Sequence, residues 1–349
     1  MKSFTFKARG KVLYLAPLAI ASSALAVSII APQIARASTP NLAPVSPSQL
    51  VSWIQASRPI PLSGTVTGAT SFPIPSASLL NGSNPESALS GSTTENYNVW
   101  TNGAGSFRVQ QAFSGGETDL YVNPGSVWLW DSSTLTATNE QFSGSSALNP
   151  SPNSNPELTA SEIVTKLSGY STLSVSGNTM VAGRPAYTLS VVPMVSDSLI
   201  GSIRIAVDGQ THVAVQIQIF PKGSASPAAS LGFDTLTFAS QPSSIFSFTP
   251  PPGATVVTPA KSSQPAGTGS GGASKVVGKG FDSVVVATPS AKALSSLGGI
   301  VKSLPTISTP LGVSHLYSTP IFQAIILPNG TVVGGAVDTA RLLQVAAGL

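Results

Sequence analysis

Two histidines, His212 and His315, are the side chains of this 349-residue chain best suited to move a proton near neutral pH. His212 follows Asp208-Gly209 in what reads as a hairpin turn, so its expected place is an exposed turn position. His315 follows Ser314 and precedes an expected strand. A serine–histidine–aspartate relay needs three side chains within hydrogen-bond reach, and in a serine-rich chain an adjacent pair of this kind arises by chance. The carboxylates stand singly, with no spacing that matches a calcium loop or a paired general acid and base. No glycine-rich loop leads into Lys-Ser/Thr, so there is no phosphate cradle. Cysteine is absent, which excludes disulfides, thiolate metal sites and a lipidated N-terminal cysteine. The expectation is a non-catalytic protein with no metal and no cofactor.

The side chains left to carry binding chemistry are apolar and aromatic. Trp128 and Trp130 stand two apart and so share one face of a strand, Trp53 lies on the first expected helix, and Trp100 ends a strand. Two readings stay open: all four are core, or some of them line a ligand cavity. Arg184, before Pro185, reads as the anchor of a strand start or of a nearby carboxylate, with a ligand headgroup as the alternative.

Charge and composition narrow the setting. The chain has 17 Lys+Arg and 13 Asp+Glu, formally +4. Lys2, Lys7, Arg9, Lys11 and Arg36 all precede Ser38, where no acidic residue lies, so the rest carries 12 basic and 13 acidic groups. Without a basic cluster, nucleic acid is not an expected partner. Lys2–Lys11, the apolar run Val12–Ile34 and Ala35-Arg36-Ala37 have the layout of a signal peptide over residues 1–37, with an uncleaved membrane anchor as the alternative. Charged residues make up 9% of the chain, against about 25% in ordinary soluble domains. Two readings stay open: a surface of neutral polar groups fits an extracytoplasmic life, secreted or in the cell envelope, or the composition reflects lineage bias alone.

The elements that must position any site are strands. Tyr187, Leu189 and Val191, then Ile203, Ile205 and Val207, then Val213, Val215, Ile217 and Ile219 alternate with polar residues over Arg184–Phe220. One face of these strands must be covered. Gly64–Gly68, Glu95–Thr101, Phe107–Phe113, Thr118–Val122, Val127–Asp131 and Leu135–Gln141 extend the pattern into a meandering antiparallel sheet, with Leu231–Phe238 and Phe246–Thr249 closing it. Loops are expected at Leu79–Gly91 and Gly144–Pro156. Two helices are expected: one begins at Ser46-Pro47 with Leu50, Trp53 and Ile54 on one face, and one spans Ala160–Leu167, with Thr159 and Glu162 as a capping box. Residues 44–257 read as one domain and 258–278 as a Ser/Gly/Pro-rich linker. Residues 279–349 read as a small α+β module with strand Phe281–Ala287, helix Ala291–Leu297, a hairpin Phe322–Leu327/Thr331–Val337 around Asn329-Gly330, and a closing helix Thr339–Ala347.

Three phrases in order, Val181-Ala182-Gly183-Arg184-Pro185-Ala186-Tyr187, Ile203-Arg204-Ile205-Ala206-Val207-Asp208 and Phe248-Thr249-Pro250-Pro251-Pro252-Gly253-Ala254, resemble the actinobacterial branch of the LolA-like proteins. These are related to the lipoprotein carrier LolA and to the N-terminal domain of RseB. His315-Leu316-Tyr317-Ser318-Thr319 and the Asn329-Gly330 hairpin resemble the tail of that branch. The resemblance implies an unclosed antiparallel β-barrel of about eleven strands with short helices across its concave face. It also implies a non-catalytic carrier of a lipid or acylated ligand, or an RseB-like envelope-stress regulator bound to an anti-sigma protein. On that reading Leu189, Val191, Ile203, Ile205, Val207, Val215 and Ile217, with Trp128 and Trp130, are the expected cavity residues, and Leu50, Trp53 and Ile54 the lid. The missing cysteine and the added C-terminal module depart from a minimal carrier.

Overall fold

A computed structural model of the chain describes residues 42–72, 92–141, 156–258, 274–289, 299 and 301–349. The leader, the loops expected at 79–91 and 144–155, nearly all of the linker up to residue 273 and the helix expected at Ala291–Leu297 lie outside the described residues. The described chain falls within one compact unit, Thr39–Leu349.

The protein is mainly β. Its first sheet contains β1 (Pro61–Thr70), β2 (Thr93–Asn102), β3 (Phe107–Phe113), β4 (Gly116–Asn123), β5 (Ser126–Asp131) and β6 (Thr136–Gln141). It continues with β7 (Ser171–Val181), β8 (Arg184–Pro193), β9 (Ile200–Asp208), β10 (Ala214–Pro221), β11 (Ala229–Thr237) and β12 (Thr255–Val257). The order β12-β6-β5-β4-β3-β2-β1-β11-β10-β9-β8-β7 is two meanders joined where β11 returns beside β1. Eleven strands are antiparallel and β12 adds to β6 in parallel, leaving the sheet open between β12 and β7.

Helix α1 (Pro47–Ala56) starts as expected: Ser46 Oγ accepts from Gln49 N at 3.2 Å, and Pro47 needs no amide partner in the first turn. Helix α2 (Pro156–Leu167) begins earlier than the expected capping box, so Thr159 sits inside it. Proline at its first position and Glu157 in its first turn suit that start.

Strand β7 had no counterpart in the sequence reading, because its alternation at Leu173 and Val175 breaks at a bulge before Asn178, where Gly177 takes φ +113°. The strand expected at Phe246–Thr249 is instead the 3₁₀ turn Ser243–Phe246 followed by extended chain running into Pro250-Pro251-Pro252. At the end of the expected linker, Ser274–Val277 is a strand, β13, paired with β14 (Val284–Ala287).

The second sheet is β13-β14-β18-β17-β16-β15, with β15 (Thr306–Thr309), β16 (Gly312–Ser318), β17 (Gln323–Ile326) and β18 (Val332–Gly335). Helix α3 (Thr339–Ala346) packs Leu342, Val345 and Ala346 onto Val284, Ile325 and Val333. The module is bonded to the connection between β8 and β9 of the first sheet. Leu199 N donates to Ala336 O at 2.9 Å, Asp338 N donates to Asp197 O at 2.8 Å, and Phe281 is buried in the same apolar cluster as Leu50 and Ile205.

Candidate ligand-binding cavity

In an antiparallel sheet, residues directly opposite each other share a face. Leu189 faces Ile205, Ile205 faces Ile217, Ile217 faces Leu231, Leu231 faces Gly68, and Gly68 faces Glu95. This face carries the helices. Leu50 and Ile54 of α1 and Ala160 and Val164 of α2 form one buried cluster with Leu189, Val191, Ile203, Ile205, Val207 and Ile217. These are six of the seven expected floor residues, and the helices seal them as close-packed core: Leu189, Val191, Ile205 and Val207 have no accessible surface. Burying each such side chain contributes about 1.5–3 kcal/mol.

Open space begins on the same face toward β11, β1 and β2. A cavity of about 470 Å³ is walled by Phe72, Tyr97, Ile217, Ile219, Leu231 and Ile321. Thr70, Thr93, Glu95, Thr159 and Ser230 supply the polar groups. Gly68 also borders it, and the missing side chain there leaves room between Leu231 and Tyr97. Thr159 comes from α2 and Ile321 from the turn between β16 and β17, so the sheet, a helix and the C-terminal module each contribute a wall. At the rim Tyr97 Oη donates to the Glu95 carboxylate. Burial, then that hydrogen bond and the nearby negative charge, push the phenol well above its usual range, so it stays protonated.

Of the nine expected cavity residues, Ile217 borders this space. Val215 does not join the other floor residues: it sits at the bulge where Ala214–Gln216 oppose Val207 and Ala206, in a second cluster with Ala186, Ala206 and Phe233. Trp128 and Trp130 lie on the opposite face. Leu129 pairs with Leu120, which pairs with Val109 and so with Val99 on the helix-bearing side, and the flanking tryptophans therefore point the other way. There Phe248 covers them, with ring centroids at 5.4 and 5.8 Å, and also covers Tyr121 at 5.0 Å. Beside this packing, Arg108 donates to both Asp119 oxygens at 3.0 and 2.9 Å and stacks between Trp100 and Tyr121. These are wall-building contacts on the outer face. Trp53, expected in the lid, does lie on α1, but its ring stacks on His212 at 3.6 Å and leans on Tyr187.

The residues that could have done chemistry are placed otherwise. His212 takes φ +61° in the turn after β9. His315 lies in β16 with Nδ1 3.4 Å from Leu304 O, while Ser314, next along the strand, is buried on the other face and bonded to Gly312 O and Thr309. Arg184 donates to both oxygens of Asp208 at 2.6 and 3.1 Å, the carboxylate reading of that residue. Burial raises the Asp208 pKa, but Arg184, Thr211 and Gln210 outweigh it and hold the carboxyl below its usual range. Among the described residues no group of three or more acidic or histidine side chains could hold a metal, and no helix is long and apolar enough to cross a membrane.

Sequence reasoning missed Gly68, Glu95 and Tyr97. The strand signals around them were legible, but which face of β1 meets Leu231 depends on the β1–β11 pairing, made across about 160 residues and shifted by a bulge at Thr65/Val66.

No protein-family model matches the chain, and no curated protein matches it. Among solved structures, it is similar to a chain of the Pseudomonas aeruginosa MucA/MucB complex, at 15% identity and TM-score 0.43, over 86% of this chain and 95% of that one. It is similar to a LolA superfamily protein of Nitrosomonas europaea at 11% identity and TM-score 0.26, over 59% of this chain and 99% of that one. For the Mycobacterium tuberculosis lipoprotein LppX the values are 12%, 0.28, 56% and 94%. Likeness at this level assigns no functional residue to the present chain.

Proposed function

We propose that the protein is an exported, non-catalytic binder of a lipidic or acylated ligand, taken up in the cavity between β1, β2, β10, β11, α2 and the C-terminal module. The observation that carries this reading is the cavity itself. It is walled by Phe72, Ile217, Ile219, Leu231 and Ile321 beside the close-packed cluster under α1 and α2, and its size falls in the range of small-molecule sites. The sequence phrases that resemble LolA-like proteins point the same way, and the signal-peptide layout of residues 1–37 provides for export. Mass spectrometry of organic extracts from protein purified from its native source tests the proposal. A stoichiometric lipid is expected. A protein that yields none and does not bind an apolar fluorophore is not such a carrier.

One observation favours a second reading, a regulator that docks an envelope partner of the anti-sigma kind. The face of the second sheet opposite α3 carries Val276 beside Val285, with Phe322 folded over the neighbouring Gly334, and Val276 is 62% exposed. An apolar strip of this kind is what a protein partner covers.

A further inference from the structure

The charges around the cavity narrow the ligand class, an inference that rests on the lipid-binding reading above. Among the described residues its lining includes the Glu95 carboxylate and no lysine, arginine or histidine. The Tyr97 hydroxyl at the rim already donates to Glu95. The remaining polar groups of the sheet wall are hydroxyls, with Thr70 and Thr93 bonded to each other at 2.9 Å. Three carboxylates elsewhere in the fold are met by arginine: Arg108 holds Asp119, Arg184 holds Asp208 and Arg341 holds Asp282. No described residue at the cavity does the same for Glu95. A fatty-acid carboxylate or a phosphate monoester entering here would bring a second negative charge beside Glu95 with no cation to offset either one. An ester or glycerol head would meet only hydroxyls and one acceptor.

We propose that the cavity selects single-chain lipids with an uncharged, hydroxyl-bearing head and discriminates against anionic ones, with Glu95 as the specificity-determining residue. One unit charge a few ångströms away at a solvent-facing rim changes affinity by about tenfold.

The test uses the mature chain loaded with an uncharged apolar fluorophore, displaced by 1-monolauroylglycerol or by laurate. Both are kept below their aggregation concentrations at neutral pH and low salt. Monolauroylglycerol is expected to displace at about tenfold lower concentration than laurate, and added salt should narrow the gap. Glu95→Gln should narrow it as well, and Glu95→Lys should close or reverse it, with thermal melting unchanged because Glu95 is exposed. Equal or tighter laurate binding, unmoved by Glu95→Lys, overturns the selectivity while leaving the carrier reading in place. Failure of the fluorophore and both lipids to bind overturns the carrier reading itself.

Discussion

Replacing Gly68 by valine separates a ligand cavity from an incidental gap. A Cβ built at Gly68 would lie 3.7 Å from a Leu231 methyl and 4.0 Å from both Glu95 O and the Tyr97 ring, which is ordinary contact. The strand should accept the change. Glycine inside a strand costs about 0.5–1 kcal/mol relative to a residue with a side chain, and valine is among the residues that suit a strand. Melting should hold steady or rise slightly. The added carbons take the place of roughly three ligand methylenes at about 0.8 kcal/mol each, a loss of about 2 kcal/mol. That is about thirtyfold in dissociation constant. Fluorophore titration and circular dichroism on the same preparation measure both quantities. A folded variant that binds as tightly as the parent would refute the assignment of ligand to this cavity.

Phe281→Ala should cost about 3–5 kcal/mol and lower the urea midpoint of the whole protein in one transition, because this residue is buried with Leu50 and Ile205; two separate transitions, with only the later part of the chain affected, would contradict a shared core. The Arg184–Asp208 pair predicts an acid dependence. Asp208 is depressed in the folded state, so its contribution is fully present above the unfolded carboxylate value near about 4 and is lost as pH falls through the lower folded value; urea midpoints from neutral to acid pH should show this loss, and Arg184→Gln should lower stability at neutral pH and shrink the acid-dependent part. Ile205→Glu should unfold the protein, since a carboxylate would replace a side chain with no accessible surface under α1 and α2; a folded Ile205→Glu variant with weakened lipid binding would return Ile205 to the ligand site.

Much of the architecture was legible because alternation is a local signal. The stripes at Leu189–Val191 and Ile203–Val207 end up on the buried face, and Ser46-Pro47 opens α1 as read. The site was less legible, for two physical reasons. A stripe records that a face is covered and not what covers it, so the same residues that read as ligand floor are sealed by Leu50, Ile54, Ala160 and Val164. A two-residue spacing, as in Trp128 and Trp130, places two side chains on one face without saying which. Only the ladder from β5 back to β2, with Phe248 laid over the rings, assigns them to the outside. Val215 shows the smallest version of the same limit. One bulged residue in β10 moves it out of the cluster that Ile217 joins.

The two glycines of β1 carry the argument a step further, because they stand on one face four residues apart and serve opposite ends. Gly64 faces Leu236 and Val99, just before the bulge at Thr65/Val66. A Cβ there would lie 2.1 Å from Thr235 O, a backbone atom that cannot turn aside. The close approach belongs to the bulged pairing with β11, in which Thr65 N also donates to Thr235 Oγ1 at 3.0 Å. Gly68 has no such neighbour, so its missing side chain is not required by the backbone and leaves space instead. Alanine at Gly64 should therefore destabilise by about 1–3 kcal/mol, while alanine at Gly68 leaves stability level or slightly higher. If both substitutions proved equally damaging, the room at Gly68 would be a feature of strand packing, and the cavity would lose the residue that most directly holds it open.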